Sequence, residues 1–109
     1  MAEPTLQQVF GANATQDANI LTIKKSDLTG VGLTPAATNT AESLVVALVK
    51  LWETTLTTTN QESNPEQQIT IEDGFPSIVF RNNTNYRQYP KTIAFQKPDK
   101  SADLDPDDY

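Results

Sequence analysis

The chain predicts an α+β fold: a small, mostly antiparallel sheet of three to four strands packed on one long amphipathic helix. Three observations carry that prediction. Apolar residues recur at positions 41, 44, 45, 48, 49, 52 and 56, the spacing of one face of a helix. Segments 68–72 and 91–97 instead alternate apolar and polar side chains, the period of a half-buried strand. Clusters of Asn, Asp, Gly and Pro separate these stretches and supply the turns.

Taken in order, Thr5 and Gln8 match a capping box, Leu6, Val9 and Phe10 fall at helical spacing, and Gly11 suits a helix stop. A short helix over about 5–10 follows. Residues 12–18 read as a turn, and 19–25 as a first strand with Leu21 and Ile23 on one face. Gly30, Gly32 and Pro35 make 26–38 a loop containing at most a turn. Asn39 or Thr40 then caps the main helix, 40–57, and Glu42 suits its first turn. Its apolar side chains, including Leu44, Val45, Leu48, Val49, Leu51, Trp52 and Leu56, cover an arc of roughly 160°, broad enough to imply packing across a sheet. Residues 57–67 are polar and read as a loop.

Strand two, 68–72, puts Ile69 and Ile71 on one side, and Asp73-Gly74 turns the chain. If Phe75-Pro76 extends that turn, Ile78 and Phe80 of a third strand face the same core, with Pro76 at a strand start or edge. Asn82 to Asn85 is another turn, and strand four, 91–97, directs Ile93 and Phe95 inward. Residues 1–97 thus form one α+β domain. The remainder, 98–109, holds five aspartates and one lysine and reads as a flexible acidic tail.

At 109 residues and 37% hydrophobic content the core is thin, which makes an oligomeric or heteromeric contact a natural source of further burial. Histidine and cysteine are absent, so the side chains that most often serve as general bases, nucleophiles and transition-metal ligands near neutral pH are missing. No redox compartment follows. The net charge of −6 disfavours phosphate backbones and anionic membranes, and no stretch reaches the roughly 20 apolar residues of a membrane span. The start, Met1-Ala2-Glu3-Pro4, lacks the basic and apolar regions of a secretion signal. The expected setting is therefore the cytoplasm or an assembled particle, and the Asn13-Ala14-Thr15 and Asn82-Asn83-Thr84 sequons are expected to stay unmodified.

Charge is unevenly distributed. Segment 74–97 contains four cations, Arg81, Arg87, Lys91 and Lys97, and no acid, whereas 1–73 carries −6 and 98–109 carries −4. Arg81, Tyr86, Arg87, Tyr89 and Lys91 interleave cations and rings around a turn, a combination suited to stacking and charge-assisted hydrogen bonds with a protein surface. An ordinary solvent-facing hairpin is the plainer account of the same residues, and single-stranded nucleic acid a less favoured partner. The acidic tail can fold back on this strip or on that of a neighbour.

Other constellations are weak. Asp103, Asp105 and Asp107 open like a calcium loop, but its glycine and closing glutamate are missing. Gly30-Val31-Gly32 lacks the rest of a phosphate loop. Glu72, Asp73 and Arg81 are the candidates for acid–base work, yet adjacent strand positions point to opposite faces, and Asp73 is explained as turn chemistry. No catalytic, metal or cofactor residue is assigned.

The segments QQVFGANATQDANILTIKKSDL, TAESLVVALVKLWETTL and IEDGFPSIVFRNNTNYRQYP resemble in texture the small Thr/Asn/Gln-rich accessory proteins of tailed phages and phage-like particles. That resemblance implies a multi-copy particle subunit whose strand edges and terminal arms dock onto neighbours. The sequence reading is accordingly a non-enzymatic structural or assembly subunit. It binds protein neighbours through Arg81, Tyr86, Arg87, Tyr89 and Lys91, as a homo-oligomer or within a larger assembly, with no membrane, cofactor or small-molecule substrate. The alternative is a free-standing module for a small ligand or peptide.

Overall fold

The computed structural model describes residues 3–97, 104 and 106–109, without the side chain of Asp108. The expectations for 98–103 and for Asp105, which include most of the acidic tail and two members of the aspartate triplet, lie outside the described residues.

Helix α1 spans Leu6–Phe10. Its capping box is formed: Gln8 N–H donates to Thr5 Oγ1 at 3.1 Å, and Thr5 N–H donates to Gln8 Oε1 at 2.9 Å. Gly11, at φ +111°, ends it beside Asp27, whose Cβ lies 2.8 Å from where a residue-11 Cβ would stand. Asp27 then fastens the following turn, accepting from Asn13 N at 2.8 Å and from Asn13 Nδ2 at 2.7 Å.

The expected strand over 19–25 is much shorter. Only β2, Leu21–Thr22, is paired, with β1, Thr15–Gln16, inside the stretch read as a turn. The Asp17 carboxylate accepts from the N–H groups of Asn19 and Ile20 and so tightens a small hairpin. Residues Lys25–Val31 form a 3₁₀ helix that buries Leu28, where a loop is expected.

Helix α2 runs Ala41–Thr55, with the Thr40 hydroxyl accepting from Ser43 N–H. Its apolar stripe does not lie across a broad sheet. Leu28, Leu33 and Ala47 form the buried cluster, with Val31, Leu44, Leu48 and Leu51 packed around it, so one side of α2 covers the 3₁₀ helix and the loop after it. Phe10 of α1 meets Trp52 edge-on at 6.5 Å, while Val45, expected within the arc, is exposed. The stretch read as a polar loop contains helix α3, Thr58–Ser63, capped by Thr57. It has no apolar stripe, so periodicity could not reveal it. Capping and the bond from Asn60 Nδ2 to Thr55 O hold it instead.

The fold is α+β, but the three-to-four-stranded sheet is replaced by three separate two-stranded ladders. Strand β3, Ile69–Asp73, pairs antiparallel with β6, Lys91–Phe95. Strand β4, Ser77–Arg81, pairs with β5, Thr84–Gln88, whose first two residues fall where a turn is expected. These two ladders are consecutive stretches of one long ribbon. Between the pairs Asp73↔Lys91 and Ser77↔Gln88, Gly74, Phe75 and Pro76 face only Tyr89 and Pro90, an extra residue that makes a bulge. Both prolines lack an N–H to continue the ladder, and the joint is bridged by Gly74 N–H donating to Pro90 O at 2.8 Å. A side chain at 74 would sit 2.8 Å from Pro90 Cγ, which explains the glycine.

The proximal ladder is tied to the body. Ile71 N–H donates to Leu56 O, the carbonyl at the end of α2, and Ile71 is 4% exposed. Buried Gln67 donates to Thr57 O and Ile69 O. Ile93 and Phe95, expected inward, are nearly half exposed because α2 packs on β3 and meets their strand chiefly through the Lys91 side chain. The radius of gyration, 16.3 Å, exceeds the roughly 13 Å of a compact chain of this length.

Candidate functional site

Strands β4 and β5 make their principal contacts with each other. Asn82 and Asn83 both adopt left-handed backbone, φ 51° and 59°, which closes a two-residue hairpin whose twist matches that of the strands. Ile78 and Phe80, placed by sequence in the core, are instead 56% and 67% exposed, and Phe75 at the joint is 93% exposed. A single helix has one apolar stripe, and that stripe is used up on the 3₁₀ helix, α1 and the start of β3. Among the described residues no helix is left to cover β4.

The bulge decides which side chains share a face. Its extra residue pairs Val79 with Tyr86 and Ile78 with Arg87. A one-residue slip would exchange those faces. In the observed register Val79, Tyr86 and Arg81 lie on one side, and the Arg81 guanidinium sits 3.9 Å from the centre of the Tyr86 ring. Ile78, Phe80, Asn85 and Arg87 lie on the other. Each face therefore joins apolar surface to a guanidinium, a pairing suited to a protein surface that offers both a hollow and a carboxylate.

Of the five residues singled out from sequence, Arg81 and Tyr86 stand together, Arg87 occupies the opposite face, and Tyr89 is exposed at the joint. Lys91 belongs elsewhere. It lies on the proximal ladder, bonded to Asp73, its cross-strand partner, and to Glu53 of α2 at 3.0 Å. The hydrogen bond from Lys91, then that of Glu53, holds the Asp73 carboxyl below the usual carboxylate range. The bond to Asp73, then that to Glu53, raises the Lys91 ammonium. This ion pair staples the ribbon's base to the helix.

Glu72, Asp73 and Arg81 are not brought together: Glu72 faces away from Asp73, and Arg81 is at the ribbon's far end. Among the described residues no group of three or more acidic side chains is arranged to hold a metal, and no helix is long and apolar enough to cross a membrane. The Asn13 amide, within one sequon, is engaged by Asp27.

Sequence reasoning missed Phe75, Ile78 and Phe80 as surface residues. The signal was present in the nearly equal strand-like flanks of Asn82-Asn83, which favour pairing of 77–81 with 84–88 over layering beneath a helix. No family model matches the chain, and comparisons with curated proteins and with solved structures give no match.

Proposed function

We propose that the protein is a non-enzymatic assembly subunit that binds protein neighbours through the distal β-ribbon, residues 75–89. The observation that carries this reading is a pair of apolar-plus-guanidinium faces on an arm that the body does not cover. Such a ribbon alone buries too little to justify its ordering, and its open edges offer backbone groups to an incoming strand. A standard interface buries about 800 Å² per partner. Membership of a multi-copy, phage-like particle is the setting in which this arm would work.

The test is a photoreactive benzoylphenylalanine at Phe80 of the full chain in the cells that produce it. Illumination is expected to link the ribbon to a protein, with yield falling when Arg87→Glu and Tyr89→Ala are added. Illumination that links the ribbon to no protein overturns the reading.

A further inference from the structure

The surface that would receive such an arm has its own chemical requirements: a hollow sized for a ring and carboxylates placed to meet arginine. One groove on the body has both. Val9 of α1, Leu56 at the end of α2, Ile69 at the start of β3 and Pro4 give it an apolar lining, and the exposed Glu3 and Glu66 add two carboxyl groups. The groove is open to solvent, and its volume of about 150 Å³ gives room for a benzene-like ring.

Phe80 and Arg87 share one face of the ribbon, because Arg87 lies opposite Ile78, two residues from Phe80 on β4. The face thus offers a ring and a guanidinium side by side. Phe80 is not part of the groove of its own molecule. Ile69 lines the groove and Phe80 does not; the two are eleven residues apart along the ribbon, at most roughly 35 Å of extended chain.

We infer that the ribbon's partner is a second copy of this chain, with Phe80 of one copy seated in the groove of the next and Arg87 paired with Glu3 and Glu66. This rests on the ribbon being a docking arm. Charge selects the partner's surface: the arm, residues 75–89, has two cations, Arg81 and Arg87, and no acid, whereas 1–73 carries −6, so arm on body is attractive and arm on arm is repulsive. The contact is head-to-tail. Every copy gives an arm and offers a groove, so the product is a ring if the rotation closes and a filament if it does not.

Sedimentation velocity on the purified full chain tests this. The wild type is expected to self-associate with concentration and to dissociate with added salt. Arg87→Glu, and separately Glu3→Lys with Glu66→Lys, should each weaken self-association by about tenfold or more. An equimolar mixture of the two variants should regain it, because each arm then meets a groove of opposite charge. A wild type that stays monomeric throughout, or a mixture no better than its components, overturns the second-copy assignment. Mapping the Phe80 crosslink separates the two readings independently of variant folding. Attachment to the 66–69 segment of another copy supports the inference, and attachment to a different protein removes it while leaving the arm. No attachment to any protein removes both.

Discussion

Ile71 and Phe80 belong to the same β-ribbon and to the same class of large apolar side chain, yet one is 4% and the other 67% exposed. The difference lies in what stands across from each. At the proximal end the last turn of α2 supplies a carbonyl for Ile71 N–H, and Glu53 anchors Lys91. At the distal end, among the described residues, each strand makes its principal contacts with the other strand. Apolar content therefore does not place a strand in a core; the supply of a covering surface does, and a chain with one substantial helix covers one stretch of ribbon.

The largest expected effect falls in the body. Leu28, 2% exposed within the cluster around Ala47, should cost about 2–5 kcal/mol when replaced by alanine. Denaturant unfolding measures it, and a loss below about 1 kcal/mol would mean that the body is as loosely held as the arm. Next comes the joint. Gly74→Ala drives a Cβ against Pro90 and should destabilise by about 1–3 kcal/mol, with the distal hairpin's own Asn82-Asn83 turn retained in NMR spectra.

At the proximal staple the effect is one of pH. Asp73 is held below its ordinary carboxylate range, so its contribution is present at neutral pH and is lost as acid protonates it. Lys91 is held above its ordinary range, so its share is lost only as pH rises through the alkaline region. Asp73→Asn should therefore be less stable than wild type at pH 7, with the gap closing below about pH 4. A gap independent of pH would remove the ionic account of the staple. The smallest effect is expected at the tip: Phe80→Ser should change the stability of the isolated chain by about 0.5 kcal/mol or less. A loss matching that of Leu28→Ala would erase the contrast between the two ends.

What sequence disclosed follows the same division. The α1 capping box, the α2 stripe, the alternation around Ile69 and Ile71 and the strand expected over 91–97, observed over Lys91–Phe95, are local patterns, legible from spacing. The 3₁₀ helix over Lys25–Val31 and helix α3 lack a periodic apolar signal, and hydroxyl caps with amide-to-backbone bonds hold α3 in its place. Sheet architecture is not legible in this way, because alternation identifies a strand without identifying its neighbour. The candidate site is hidden in the same way: spacing groups Arg81, Tyr86, Arg87 and Tyr89, but their division between two faces depends on a bulge that only the pairing register exposes. Lys91 was grouped with them by proximity in sequence, although its partners are Asp73 and Glu53.

The joint at Gly74 to Pro76 and Tyr89 to Pro90 has a consequence for how the molecule breathes. With no amide proton on either proline, cooperative strand separation is interrupted there, so the tip opens without waiting for the body to unfold. Deuterium will enter the backbone of β4 and β5 through this local excursion, while β3 amides such as Ile71 exchange only when the whole chain comes apart.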